Sequence, residues 1–207
     1  VLKELLETEK KYVRDLEILD NVYMKPLREA AISSKPVLTP DDIETIFSNI
    51  EDIYEFHREF LKSSLEARIS SSQFEDLDEK KIEPSAPRLG DLFLKLKEPF
   101  LQVYGEYCSN KPYAQELLEK LRQAASNPQF AEFLDEVEAS SNTGAKDDAV
   151  KLTLQSLLLK PVQRILRYPL LLKELLKHTP EGEDQPDRED LKKALDLLQD
   201  LAKSINE

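Results

Sequence analysis

Residues 157–176, LLLKPVQRILRYPLLLKELL, constrain the fold more than any other part of the chain. Their apolar side chains cover nearly every face of a helical wheel, and a helix apolar on every face must be surrounded by protein. Embedded in the run are Lys160, Gln163, Arg164 and Arg167. Lys160, Arg164 and Arg167 fall at i, i+4 and i+7, so they share one stripe if the segment is a single helix. A central helix with a basic stripe is a scaffold element that also meets a partner.

The rest of the chain follows the same period. Leu2, Leu5, Leu6, Tyr12, Val13, Leu16, Leu19, Tyr23 and Leu27 predict a long amphipathic helix over residues 1 to about 31, which Pro26 should kink or end. Thr39 and Pro40 then supply a cap and a first-turn proline for a helix reaching about Ile69. Breakers at residues 70–73 and 80–87 flank a weakly patterned stretch. Residues 88 to about 107 read as helix interrupted by Pro99. Pro112 is expected to start another helix, and Asn127-Pro128 one ending near Ala139. Residues 140–145 form a loop, Pro161 opens the central helix, and residues 179–186 are an acidic turn. A final helix carries Leu191, Ala194, Leu195, Leu198, Leu201, Ala202 and Ile205 on one face. No strand-length alternation and no fixed repeat stand out, and glycine is scarce at 4 residues. The expected fold is all-α: an elongated bundle of about six long helices plus short helical segments, forming one domain over residues 1–207.

Composition narrows the function. The formal net charge is −12, the wrong sign for a nucleic-acid partner or a broad face on an anionic membrane. No uncharged apolar run is long enough to insert into a bilayer. The N-terminus lacks a signal-peptide pattern, and the chain reads as a domain cut from something longer. The lone Cys108 rules out an internal disulfide and fits a reducing compartment; a partly buried thiol is its ordinary reading. Two histidines, His57 and His178, lack metal-ligand spacing, so no metal or cofactor is expected. His57 reads as a packed or half-exposed helix residue. No phosphate-binding GxxxxGK[ST] loop occurs. Glu9 lies on the apolar stripe of the first helix, between Leu5 and Val13. A carboxylate there is costly unless it pairs with an Arg or Lys at the core rim or faces a partner.

The wording of two segments goes further. Residues 158–172, LLKPVQRILRYPLLL, resemble the third signature region of the Dbl-homology (DH) domain, and Glu4-Leu-Leu-Glu-Thr-Glu-Lys-Lys-Tyr-Val13 resembles the first, of the form ELLxTExxYV. Residues 50–61 and 92–108 look like intervening segments in the right order, so the resemblance spans the whole chain. It implies a guanine-nucleotide exchange factor for Rho-type small GTPases (Rho, Rac or Cdc42). Such a protein changes no covalent bond in the GTPase. By resemblance, Glu9 matches the glutamate that binds switch I. Lys160 engages switch II, with Leu159 as an apolar contact to the same switch. Val162 packs on the GTPase β2–β3 strands and helps choose the partner. Gln199 stands where relatives often have Asn, and it reads equally as a solvated flank of the last helix. Arg164 and Asn206 complete the expected contact set, although Arg164 and Arg167 also suit pairs with surface carboxylates. Glu9→Ala or Lys160→Ala is then expected to abolish exchange and leave the fold intact. The resemblance also implies a cytoplasmic monomer, followed by a pleckstrin-homology domain and recruited to membranes by regions outside this chain. The competing expectation is a helical interaction scaffold without exchange activity.

Overall fold

Helix starts and stops follow local chemistry that the sequence announces. The computed structural model describes residues 1–70, 88–123, 125–142, 152–179 and 186–206. Most of these lie in helices, and no strand occurs among the described residues. Helix α1 (Leu2–Ile18) passes through a π-helical stretch, Leu19–Met24, into α2 (Lys25–Ala31). Helices α3 (Pro40–Phe47) and α4 (Ile50–Glu59) precede a second π stretch, Phe60–Glu66, and the short α5 (Ala67–Ser70). There follow α6 (Gly90–Lys95), α7 (Lys97–Arg122), α8 (Pro128–Asn142), α9 (Leu154–Leu158), α10 (Lys160–His178) and α11 (Pro186–Asn206). Counting helices that directly abut as one rod gives nine rods among the described residues, and the class is all-α as expected.

Three starts are capped as their residues dictate. At α3, Asp42 N donates to Thr39 Oγ1 (3.1 Å) and Thr39 N donates to Asp42 Oδ2 (3.3 Å), with Pro40 in the first turn. At α9, Ser156 N donates to Thr153 Oγ1 and Thr153 N donates to Ser156 Oγ. At α8, Phe130 N donates to Asn127 Oδ1 at 3.0 Å.

The prolines behave less simply. Pro26 does not end the rod: it occupies the first turn of α2, directly after the π stretch. The break expected at Pro99 lies at Leu96, and Pro99 falls in the first turn of α7, where its missing N–H costs nothing. Pro112 starts no helix; it sits inside α7. Side chains anchor that rod on both sides of the lost backbone bond. The Tyr107 hydroxyl donates to Leu158 O (2.7 Å), Asn110 Nδ2 donates to Thr45 O (2.7 Å), and Leu118 is buried. Helix α8 runs to Asn142, past the expected end. The segments at residues 71–87 and 180–185, and residues 143–145 of the loop expected at 140–145, lie outside the described residues.

The chain divides into two compact units. One comprises Val1–Val13, Glu55–Val103 and Pro161–Glu207; the other comprises Arg14–Tyr54 and Tyr104–Lys160. The first holds an aromatic cluster of Tyr12, Phe56, His57, Phe60, Phe93, Phe100 and Tyr168, mostly edge-to-face. In the same unit α6 is clasped to α11: Asp187 accepts from Leu89 N (3.0 Å) and Gly90 N (2.8 Å). Only glycine fits at position 90, because a Cβ there would stand 2.4 Å from Leu191 N. The second unit buries Leu19, Tyr23, Leu27, Ile43, Ile46, Phe47, Tyr104 and Leu157. Its polar ties include the Tyr23 hydroxyl donating to Leu152 O at 3.0 Å.

Candidate protein-docking site

Helix α1 turns Leu5, Glu9, Tyr12 and Leu16 to one buried face. Glu9 is 0% exposed. Its Oε1 meets His57 Nδ1 at 2.7 Å, and its Oε2 accepts from Arg164 Nε (2.9 Å) and the Tyr168 hydroxyl (2.7 Å). The Arg164 NH2 group also donates to Oε2, while Arg164 NH1 donates to Thr8 Oγ1 at 2.9 Å. The guanidinium lies 4.5 Å from the Tyr168 ring centroid. Burial by itself would push the Glu9 carboxyl up. The charges of His57 and Arg164 and the hydrogen bonds from His57 and Tyr168 outweigh it and hold the pKa at about 2. Burial likewise opposes the Arg164 charge, but Tyr168 and Glu9 keep the guanidinium firmly protonated. The carboxylate expected to reach a GTPase therefore faces inward with its valences filled. Arg164, 4% exposed, is its partner and no surface contact. In the structure neither side chain is open to solvent, and Arg164 makes the intramolecular carboxylate pair it also suited, with a buried partner.

The basic stripe of α10 divides for a related reason. At about 100° per residue, Arg164 and Arg167 differ by about 60° around the helix. That is enough to turn Arg164 into the core and Arg167 outward. Nor is α10 enclosed all round: Gln163, Arg167, Leu170, Glu174 and Lys177 form an exposed stripe. Arg167 NH2 donates to Glu4 Oε1 at 2.9 Å, and these side chains are 49% and 53% exposed. Helices α1 and α10 are thus joined twice in antiparallel register, by an inner pair (Glu9–Arg164) and an outer one (Glu4–Arg167). The outer pair presents an accessible acid and an accessible base side by side.

In the other unit, Lys160 Nζ lies 3.5 Å from Asp15 Oδ2, with side-chain exposures of 25% and 9%. Leu159 is half-buried and borders an apolar recess with Ile46, Tyr107, Leu118 and Leu158. Val162 is buried and offers a partner little surface. Gln199 is exposed beside buried Leu198, on the flank of the α11 stripe. The backbone of Asn206 ends α11, and its side chain lies outside the described residues. Cys108 is partly buried, and burial raises its thiol pKa, the reverse of an activated nucleophile. No metal-holding cluster occurs, and no helix is long and apolar enough to cross a membrane, among the described residues.

Glu4 and Asp15 were missed from the sequence. Glu4 lies in the first signature segment, and its position off the Leu5–Tyr12–Leu16 stripe was the available signal. Asp15 adjoins that stripe and carried no comparable mark.

Among the described residues the fold is all-helical, and the accessible acid and base of the Glu4–Arg167 pair stand on its surface. The chain belongs to the RhoGEF domain family, whose model matches residues 1–206. Proteins of that family accelerate GDP release from Rho GTPases. The human breakpoint cluster region protein is 42% identical over 207 residues, covering 100% of this chain and 15% of that protein. The apo structure of the activated truncation of Vav1 is 38% identical with a TM-score of 0.76, covering 100% of this chain and 45% of that one. The DH/PH domains of PDZ-RhoGEF, solved in complex with GTP-γ-S-activated RhoA, share the fold at 23% identity and a TM-score of 0.76. There the coverage is 99% of this chain and 51% of that one. The chain spans about 15% of the length of the first curated relatives it matches.

Proposed function

We propose that this chain is a single exchange-factor domain that docks on a Rho, Rac or Cdc42-type GTPase and stabilises its nucleotide-free form. Membership of the RhoGEF domain family over residues 1–206 carries the reading. Tight nucleotide binding by such GTPases depends on a phosphate-cradling loop, Mg²⁺ and ordered switch loops. A domain that holds the switches in another arrangement disfavours Mg²⁺ and phosphate, and nucleotide and exchange factor then weaken one another reciprocally. The domain cannot set which nucleotide reloads; abundance does.

The accessible pair Glu4–Arg167 takes the surface role first given to Glu9 and Arg164, because of the two carboxylates Glu4 and Glu9 only Glu4 reaches solvent. Lys160, Leu159 and Gln199 complete the proposed contact set, with Val162 and Asn206 secondary. The domain is proposed to act as a cytoplasmic monomer in Rho signalling. A following pleckstrin-homology domain and other regions outside this chain would bring it to membranes.

Release of a fluorescent GDP analogue from Rho, Rac and Cdc42-type GTPases tests this. The wild-type domain accelerates release from at least one. Glu4→Ala and Arg167→Ala each slow exchange at least about tenfold, yet shift unfolding by no more than about 1 kcal/mol, as exposed ion pairs do. A folded domain inactive on all three would leave the interaction scaffold as the better reading.

A further inference from the structure

Lys160 is the first residue of α10, where the helix dipole presents its positive end. A lysine there is repelled by the backbone it sits on. Its side chain also has four rotatable bonds, so a free ammonium at this point would spread over many positions. Asp15, nearly buried on α1, has its carboxylate 3.5 Å from the Lys160 ammonium. The Lys160 side chain is three-quarters covered. The acid thus stands on a rigid helix, and the base is the more exposed member of the pair. An ammonium has three N–H donors, and one carboxylate oxygen at this distance leaves others available to an incoming acceptor.

We propose that Asp15 is a positioning residue for docking: it stations the Lys160 ammonium at the place where the GTPase meets it. The inference rests on the exchange-factor reading and deepens it. Asp15 offsets the dipole, restricts the rotamers of Lys160 and keeps the docking-competent arrangement populated before the partner arrives. Without Asp15 only a fraction of molecules present Lys160 correctly, and the apparent affinity falls by that fraction. Once the GTPase is bound it pins Lys160 itself, so the rate at saturation does not change.

The test uses the domain as described, with Asp15→Asn, Asp15→Glu, Lys160→Met and the double variant Asp15→Asn/Lys160→Met. Thermal unfolding first checks that each folds. In the fluorescent-nucleotide assay, Asp15→Asn is expected to raise KM for the GTPase about tenfold with kcat within about twofold. Asp15→Glu, which keeps the charge, restores most of the loss. Calorimetric Kd values for the nucleotide-free GTPase close the cycle: Asp15→Asn weakens binding in the wild-type background and not in Lys160→Met. An equal loss in both backgrounds, or no loss in either, overturns the proposal while leaving exchange activity standing. A wild-type domain that neither accelerates release nor binds the nucleotide-free GTPase overturns the exchange reading and this inference with it.

Discussion

Glu4 and Glu9 lie five positions apart on one helix, about 140° around its axis, and meet opposite surroundings. That Glu9 sits on an apolar stripe is visible in the sequence. Its partners are not, because Arg164 follows 155 residues later and His57 comes from a third helix. Removing one member of a buried pair leaves the other uncompensated, at about 3–5 kcal/mol. Glu9→Ala and Arg164→Ala are therefore expected to lower unfolding free energy by that amount in chemical denaturation, instead of sparing the fold. The double variant Glu9→Leu/Arg164→Met should cost less than either single change, since no stranded charge remains. The same carboxylate sets an acid limit. Its folded pKa of about 2 lies below the ordinary value of 4.5. Its stabilisation is then fully present above about pH 4.5 and is lost as pH falls toward 2. Unfolding free energy measured across that window should fall with pH, and Glu9→Gln should flatten the slope.

At the scale of elements, residues that speak locally were legible and those that speak through packing were not. The Thr39 and Asn127 caps stand where the chain announces them, because a cap is decided within four residues. Pro112 misled because a proline removes one backbone bond, and anchors at Tyr107, Asn110 and Leu118 hold the rod through the gap. The close approach of α6 to α11 left only a glycine as its trace. Gly90→Ala would set a methyl 2.4 Å from the Leu191 nitrogen and 2.6 Å from the Asp190 carbonyl carbon. Backbone on both sides cannot yield cheaply, so the variant should lose about 1–3 kcal/mol. Hydrogen exchange should show the loss in α6 and the head of α11. Unchanged protection there would mean that the two helices part easily.

For the whole molecule, the all-α class and the family were readable from periodicity and from two signature segments. The division of polar residues between core and surface was not, since the helical period fixes angle and says nothing of what stands opposite. The net charge of −12 belongs to this scale as well. Its self-repulsion opposes the folded state, and most of the ion pairs are exposed and individually weak. Raising ionic strength from about 0.01 to 0.15 M shortens the screening length from about 30 to 8 Å. The melting temperature should rise over that range. A fall would mean that the pairs outweigh the repulsion.

The double fastening of α1 to α10 also limits how the chain can be shortened. A fragment beginning at Lys11 would shed Glu4, Thr8 and Glu9 in a single cut and leave the Arg164 guanidinium in the interior without its carboxylate. Limited proteolysis should find the first ten residues protected in the native protein. Any product that did lose them would clear as an unstable species and would not accumulate as a trimmed, folded core.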